Sequence, residues 1–368
     1  MNKAVRGGAF LIGGMAYLLS AASAHAQSSV TLYGTLDTGI LYTSKTPNAA
    51  GQNAGSTVSF ENAGLSPTNF GIKGTEDLGG GYAAKFDLQS GIDLGTGGFD
   101  NNLAGSFFGR QSWLGLSSPY GELRFGVQFS PFEDAMYELD PREFSQLGSL
   151  ITLYSANIVT GTFSQNALEY RSPNIRGLTV RLMTNLGGHA GNFREGFGYS
   201  GMLMYEIGGF KFVAGAMDQV EASGTPETNA AFIFSMPVVA KTLGLSYTFS
   251  TVRVAASYTT FRAPELLGNA LNGANDIYSL GADWSITPAF GTNAAVSYIR
   301  DPDISGSHAF QVAGGLNYLL SKRTTLYGQV AVVNNSGGEH IGPTMENGNL
   351  IGVTGTTVAA NIGIKHTF

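Results

Sequence analysis

The chain has 368 residues and a formal net charge of −6; only 12% of its residues are charged, although 43% are hydrophobic. A soluble globular domain is closer to about 25% charged, and a bundle of membrane helices needs runs of about 20 apolar residues, which this sequence lacks beyond its first residues. The acidic balance argues against nucleic-acid binding, which uses a basic face, and the absence of cysteine excludes disulfides and thiolate metal sites.

The first 26 residues predict a signal peptide. Lys3 and Arg6 precede an apolar core over 9–19, and Ala24-His25-Ala26 has the small-x-small form of a signal-peptidase site. We therefore expect an exported protein whose mature chain begins near Gln27, with residues 27–368 forming one barrel domain. Loss of the two leader cations leaves 18 Lys and Arg against 26 Asp and Glu, a net charge of −8.

The mature chain opens on a strand pattern over 30–42. Leu32, Ile40 and Tyr42 fall on one face, and Thr31 and Asp37 fall on the other. A period of two separates these sets, whereas a helical period would mix them. The polar stretch 45–65 then reads as a loop, and alternation returns over 69–76.

Tight turns and long loops then alternate to the end of the chain. We predict short turns at 77–81, 118–121, 173–177, 208–209, 250–251, 287–291 and 321–323, and long loops near 44–65, 95–106, 130–165, 186–197, 219–240, 262–274, 301–307 and 335–355. Seven turns and eight loops join sixteen strands, with the tenth somewhere within 229–249, where Pro237 obscures its start. Strands of about ten residues, with short connections at one end and long ones at the other, are typical of an outer-membrane barrel.

The barrel should close between its first and last strands, because lipid leaves no water for an unpaired sheet edge. The segment 358–368 presents an apolar face and ends on an aromatic residue, as this pairing requires. Four aromatic residues near the turns fall on outward positions, as expected of an interfacial girdle: Tyr82, Trp284, Tyr318 and Phe368.

The segment 130–165 breaks the strand periodicity for about 35 residues, a length that is usually functional or disordered. It mixes acidic residues with regularly recurring apolar anchors such as Phe132, Met136 and Leu139. We interpret it as a third loop that folds into the barrel mouth and narrows it.

At this point the chain resembles the general porins of Gram-negative bacteria, particularly their β-proteobacterial branch. The resemblance covers nearly the whole mature chain and rests on Ser29-Val30-Thr31-Leu32-Tyr33-Gly34, Gly74-Thr75-Glu76-Asp77-Leu78-Gly79-Gly80-Gly81, Phe108-Gly109-Arg110-Gln111, Glu169-Tyr170-Arg171-Ser172-Pro173 and His366-Thr367-Phe368. It implies an all-β fold, a sixteen-stranded antiparallel transmembrane barrel that forms homotrimers in outer-membrane lipid, with an inward-folded third loop at the constriction.

Strand parity and the resemblance together nominate the functional residues. The constriction set is Asn69, Arg110, Arg124, Glu133, Asp134, Glu138, Asp140 and Glu143. Further lumenal positions are Asp37, Lys73, Lys85, Asp87, Arg171, Arg181 and Arg253. In the alternative interpretation, some of these groups are solvated at the rims and do not affect transport.

The chain departs from the family pattern in its basic cluster, which the resemblance places opposite the third loop. Asn69 stands where the family carries arginine, Val127 interrupts the Gly-Arg-Gln motif, and Phe163 occupies a third arginine position. Arg110 remains, with Arg124 as a substitute. Because charges across a narrow aqueous gap lie within one Debye length, an acidic loop facing few arginines predicts a preference for cations or neutral solutes. The alternative is that these carboxylates face external water or cap local turns.

No constellation of residues implies chemistry, and we expect no catalytic residue and no cofactor. The five histidines lack the spacing of a zinc site. The acidic pairs Asp301/Asp303 and Glu133/Asp134 could bind Ca²⁺, although such pairs more often belong to a solvated surface.

The sequence therefore predicts a passive outer-membrane channel for small hydrophilic solutes and ions. Two rivals remain: a substrate-specific channel with a track of residues such as Tyr137, Tyr154 and Phe163, and a closed structural or adhesive barrel. A plugged barrel needs bulky residues inside, whereas many inward positions here are small, namely Ser279, Gly281, Ala313, Gly315 and Ala331. We take these small residues to favour an open lumen.

Overall fold

A computed structural model describes residues 29–101, 105–157, 163–188, 190–194, 196–219, 238–262 and 274–368. The leader 1–26 lies outside these residues, and its cleavage stays a prediction. The stretch 229–237, where we allowed the tenth strand to begin, also lies outside them.

Seventeen strands and two helices make up the described fold. The strands are β1 (Ser29–Thr43), β2 (Thr57–Glu61), β3 (Asn69–Gly79), β4 (Tyr82–Gly91), β5 (Gln111–Ser118), β6 (Gly121–Phe129), β7 (Phe163–Arg171), β8 (Leu178–Asn185), β9 (Gly198–Ile207), β10 (Phe210–Gln219), β11 (Val238–Phe249), β12 (Val252–Arg262), β13 (Ala274–Ser285), β14 (Phe290–Arg300), β15 (His308–Leu319), β16 (Thr324–Ser336) and β17 (Gly355–Thr367). The helices, α1 (Pro131–Leu139) and α2 (Leu150–Asn157), lie between β6 and β7.

The strands form one closed antiparallel barrel with sixteen strand positions. The short β2 pairs with the second half of β1 (Thr43 opposite Thr57), and β3 pairs with its first half (Thr35 opposite Asn69), so β2 and β3 share one position. Every later strand pairs with the next along the chain, and β17 returns to β1 with Thr35 opposite Thr367. The predicted strand number and closure are confirmed.

The last residue completes the seam. The backbone N–H of Phe368 donates to the carbonyl of Gly34 at 3.0 Å, and the N–H of Gly34 donates back at 3.2 Å. The described connections also alternate between short and long, as the turn residues predicted. Both ends of the described chain therefore lie at the short-turn end of the barrel.

The two faces of the wall differ in character. Leu32 is 61% exposed and Ile40 is 55% exposed, whereas Asp37 between them is fully buried. The four predicted girdle aromatics are each between 41% and 49% exposed. Because a lone barrel has apolar side chains outside and polar ones inside, this face is the lipid-facing one.

Several predicted boundaries were wrong. The loop predicted over 45–65 contains β2, whose five residues alternate too briefly to stand out. Strand β4 ends at Gly91 rather than near Leu94, and β5 begins at Gln111 rather than at Phe107. The segment 130–165 is not irregular throughout, because it contains both helices, and β7 already begins at Phe163.

Helix α1 is locally well specified. Ser130 caps it, its hydroxyl accepting the N–H of Glu133 at 3.1 Å, and Pro131 occupies the first turn, where no N–H is needed. Helix α2 is almost entirely buried and mixes apolar residues with Thr152, Ser155 and Asn157, so it carries no amphipathic signal. Within the described residues, neither helix is long and apolar enough to cross a bilayer.

Candidate functional site: a cavity beside the inner segment

The inner segment, residues 130–157, is held by polar contacts to strands that lie far apart around the barrel. Asp134 pairs with Arg181 of β8, and the Glu138 carboxylate pairs with Lys211 of β10. The Arg253 guanidinium of β12 donates to the carbonyl of Glu138 at 3.2 Å and to that of Asp140 at 2.8 Å. A single segment can reach all of these strands only from the inside of the barrel.

Arg142 fastens the segment to the other side of the wall. Its side chain is 1% exposed and donates to Asn293 Oδ1 of β14 at 2.7 Å, to Gln329 Oε1 of β16 at 2.7 Å and to the Leu147 carbonyl at 2.9 Å. Burial lowers the pKa of Arg142 to about 10, so the guanidinium remains charged at neutral pH.

Small wall residues make room for the segment. A Cβ at Gly244 would lie 2.6 Å from Leu139, one at Gly281 would lie 2.5 Å from Pro141, and one at Gly215 would lie 2.7 Å from Ala135. Leu147 packs in a buried cluster with Leu41, Ala313, Ala331 and Ala359. Our argument that small inward residues favour an open lumen was therefore wrong at these positions, because protein rather than water covers them.

A strained turn follows α1. The Asp140 carboxylate accepts the N–H groups of Arg142 at 2.9 Å, Phe144 at 3.2 Å and Leu150 at 2.9 Å. Glu143 and Phe144 both adopt left-handed backbone angles, with φ of 53° and 56°. For residues other than glycine this costs about 1–3 kcal/mol each. Asp140 thus holds a turn that presents the side chains of Glu143 and Phe144 to the lumen.

The gap between β2 and β3 also folds onto the inner segment. Asp37 accepts the N–H groups of Gly64 at 3.3 Å, Leu65 at 2.9 Å and Ser66 at 2.8 Å, and the Tyr327 hydroxyl at 2.6 Å. The carbonyl of Gly64 in turn accepts the N–H of Gln146 at 3.0 Å. The predicted lumenal Asp37 is therefore a buried anchor for residues 62–68.

Between these parts lies a cavity of about 490 Å³. It is lined by Ala63, Leu65, Ser66, Pro67, Asp100, Arg110, Phe129, Glu133, Asp134, Tyr137, Glu143, Phe144, Gln146, Ile151, Phe163, Met345 and Glu346. Five carboxylates and one guanidinium thus share its surface.

Arg110 is the cavity's cation. Its Nε donates to Gln89 Oε1 at 2.9 Å, and its guanidinium lies 5.0 Å from the centroid of the Phe163 ring. Burial lowers the pKa of Arg110 to about 10, while nearby Glu133 and Asp100 act to raise it. No described carboxylate lies within ion-pair distance of this guanidinium.

The five carboxylates are unequally compensated. Asp134 is paired with Arg181, and Asp100 accepts from Asn62 Nδ2 at 3.1 Å. Glu133 is only 4% exposed, and its Oε2 has no hydrogen-bond partner among the described residues. Glu143 and Glu346 form no ion pair with any described residue.

Burial shapes the titration of this cavity. It raises the pKa of Glu133 well above its usual value; the Asp134 charge adds to this rise, and Arg110 and Arg181 oppose it. Burial, reinforced by the charges of Asp100 and Glu61, raises the pKa of Glu346 to about 8.

Of the predicted constriction set, the structure brings together Arg110, Glu133, Asp134 and Glu143 around the cavity; the other four do not line it. Asn69 donates to the Pro67 carbonyl at 2.8 Å, and Arg124 pairs with Glu122 and stacks 3.9 Å from the Trp113 ring centroid. Glu138 and Asp140 hold the inner segment, as described above.

The other predicted lumenal residues lie on the inward face near the short-turn end, mostly in charge pairs. Lys85 pairs with Glu122 at 2.8 Å, Arg171 with Glu169 at 3.0 Å, Arg181 with Glu169 at 2.7 Å and Arg253 with Asp283 at 2.7 Å. Asp87 accepts the Tyr33 hydroxyl at 2.5 Å, and the Lys73 ammonium lies 4.7 Å from the Tyr33 ring centroid.

Sequence reasoning missed Asp100 and Glu346, which come from loops at opposite ends of the chain. It also assigned no role to Arg142. An acidic residue in a loop carries no periodic signal, so only the closure of the barrel reveals these neighbours.

A family model described as a Gram-negative porin matches residues 14–338. This chain belongs to the Gram-negative porin family. Outer membrane porin protein 32 of Delftia acidovorans is 28% identical over 96% of this chain and 98% of that protein. An outer membrane porin protein of Bordetella pertussis (strain Tohama I) is 30% identical over 77% of this chain and 66% of its own length. A solved structure of an anion-selective porin from Comamonas acidovorans superposes with a TM-score of 0.76 at 25% identity, covering 93% of this chain and all of that one.

The porin is therefore a channel of the outer membrane and not an enzyme. Small hydrophilic solutes and ions cross it by passive diffusion. The barrel supplies a polar interior, and the inner segment divides that interior unequally.

Proposed function

We propose that the inner segment forms the constriction of this porin and that the channel prefers cations to anions. The observation that carries the proposal is the charge balance of the cavity, where one guanidinium stands against five carboxyl groups, even though burial disfavours the charged forms of Glu133 and Glu346. Charges separated by less than about 8 Å across water are only partly screened at physiological salt, so an ion in this cavity interacts with the whole set.

The positions at which the resemblance implies arginine also support a preference for cations. The Asn69 amide is uncharged and donates a hydrogen bond to the Pro67 carbonyl. Phe163 places a ring face beside the Arg110 guanidinium, where an arginine would add a second positive charge. The Comamonas acidovorans relative is described as anion-selective. We propose the opposite preference here because the carboxylates of Glu133, Glu143 and Glu346 lack paired cations.

The reversal potential of the purified protein in a planar bilayer under a KCl gradient tests this proposal. We expect a reversal potential whose sign shows a preference for cations. Its magnitude should be smaller in the Glu143→Gln/Glu346→Gln double variant. Because Glu346 has a pKa of about 8, it is mainly neutral at pH 6 and ionised at pH 9, so cation preference should rise over this range and rise less in the variant.

Asp303→Asn is the matched control, since Asp303 is an exposed acid of the 301–307 loop and does not line the cavity. It should leave the reversal potential unchanged. Clear anion preference that the double variant does not alter would overturn the role given to the carboxylates.

We further propose that three copies associate, as the porin resemblance implies, through an aromatic patch beside β2–β5. Phe107 contacts Phe70, Phe99 and Phe108 with ring centroids 6.3, 5.2 and 4.5 Å apart, yet Phe107 remains 52% exposed and Phe99 60%. Clustered exposed aromatic residues are typical of protein interfaces.

The mass of the detergent-solubilised protein, measured by light scattering, tests this interface. Phe99→Asp/Phe107→Asp should shift the trimer toward monomer. Phe193→Asp should not, although Phe193 is 92% exposed, because it lies in the separate 186–197 loop. A trimer that survives the double substitution would exclude the patch as its main contact.

A further inference from the structure

Three features of the cavity point to a bound ligand rather than only to passing ions. It lies between the inner segment, residues 63 and 65–67 and the start of β5, and its volume of about 490 Å³ falls in the range of about 300–1,000 Å³ typical of small-molecule sites. Glu133, whose carboxylate is almost entirely buried, is one of its lining residues, and two pairs of aromatic rings line it.

Glu133 is the decisive group. Its side chain is 96% buried, and Oε2 has no hydrogen-bond partner among the described residues. A buried carboxylate oxygen without a donor is costly, and a charged donor relieves that cost best. The cavity therefore offers an acceptor that the described protein does not satisfy.

Two further carboxylates widen the acceptor surface. Glu143 is exposed to the lumen on the strained turn, where the Asp140 contacts hold its backbone in the left-handed region. Glu346 approaches from the loop before β17. With Glu133 they supply three carboxylates that form no ion pair with described residues, more than a single monovalent ion can use.

The aromatic residues suit the remainder of an organic cation. Tyr137 and Phe144 meet edge to face with ring centroids 5.4 Å apart, and Phe129 and Phe163 lie 4.7 Å apart. Ring faces attract ammonium groups and pack against the methylene groups that separate them.

Resting on the proposed cation preference of this cavity, we infer that it is a binding site for small organic cations, namely protonated aliphatic amines with two ammonium groups. One ammonium group donates to Glu133, the second reaches Glu143 or Glu346, and the alkyl chain lies against the aromatic rings. Arg110, which lies near Glu133 and Asp100, disfavours a further positive charge beside the bound ammonium group. Diamines therefore enter the channel as other small solutes do, but they bind in the cavity before they leave it.

Single-channel conductance with three four-carbon probes tests this inference: 1,4-diaminobutane, 4-aminobutyrate and 1,4-butanediol. The diamine should reduce the conductance saturably, the zwitterion should do so at least about tenfold more weakly, and the diol should have no saturable effect. Loss of one charge-assisted hydrogen bond corresponds to about tenfold or more in affinity.

Variants locate the site. Glu133→Gln should weaken the diamine effect about tenfold or more, and Glu143→Gln should weaken it about threefold. Because Glu143 is exposed, its substitution leaves the fold intact and keeps the test valid if Glu133→Gln does not assemble. Asp303→Asn removes one external negative charge and should leave the affinity unchanged.

The outcomes separate the inference from the channel function beneath it. Absence of conductance steps in the unmodified protein would refute the channel itself. Normal steps with cation preference but no saturable diamine effect would overturn the site alone. An equal effect of 4-aminobutyrate, or an effect that neither glutamate substitution changes, would likewise overturn it.

Discussion

Replacing Arg142 with methionine is expected to release the inner segment from the wall. The substitution removes the donors to Asn293 Oδ1, which is half-buried, and to the Leu147 carbonyl, which is buried. Each buried unsatisfied group costs about 1–3 kcal/mol, so we expect the barrel to lose about 3 kcal/mol of stability. Single-channel recordings should show a larger mean conductance and greater open-channel noise, because the segment gains freedom inside the barrel.

The control for this experiment is Arg323→Met. Arg323 lies exposed in the short turn between β15 and β16, and only its backbone bonds to β17. It changes the same side chain without touching the inner segment and should leave conductance and noise unaltered. If Arg142→Met behaved in the same way, the contacts of α1 with β8–β12 would have to hold the segment alone.

Replacing Asp37 with alanine is expected to be the most destabilising single change in the wall. Four donors converge on its fully buried carboxylate: three backbone N–H groups of residues 64–66 and the Tyr327 hydroxyl. Leaving several of these unsatisfied should cost at least about 4 kcal/mol in the free energy of unfolding. Residues 63–67 line the cavity, so its ion preference should also become less well defined.

A graded series makes the test internal. Tyr327→Phe removes one hydroxyl and should cost about 1–2 kcal/mol, whereas Asp37→Asn keeps one acceptor oxygen and should fall between the two. Urea unfolding of the folded barrel in detergent measures the order. An Asp37→Ala variant no less stable than Tyr327→Phe would mean that residues 62–68 do not depend on this carboxylate.

The barrel was readable from the sequence because its determinants are local. The alternation of Leu32, Ile40 and Tyr42 against Thr31 and Asp37 specifies both faces of β1, and glycine-rich turns separate successive strands. Pairing of β1 with β17 then follows from the exclusion of sheet edges in lipid. These features need no knowledge of distant contacts.

Only part of the cavity could be predicted from the sequence, because its geometry depends on contacts between residues that are far apart in the chain. Arg142 is 151 residues from Asn293 and 187 from Gln329, and nothing near Arg142 in the sequence indicates either partner. The parity that predicts inward positions for Asp37 and Arg124 could not say that the first residue is an anchor and the second part of a stacked ion pair. Helix α2 escaped notice because a short helix buried on all sides has no apolar stripe.

The inner segment packs against β8–β17 and β1, while the cavity lies toward the side of β5–β7, so the water path that we propose runs off-centre. The sixteen strand positions therefore fall into two groups, those that support the inner segment and those that lie beside the cavity. In the constriction that we propose, substitutions beneath the inner segment act on ions only indirectly, by moving the segment, whereas substitutions around Arg110 and Phe163 change side chains that contact the ions. Homologous barrels can thus differ in the ions and solutes that they admit through changes in one arc of the wall and in the inner segment. The rest of the wall supports the inner segment.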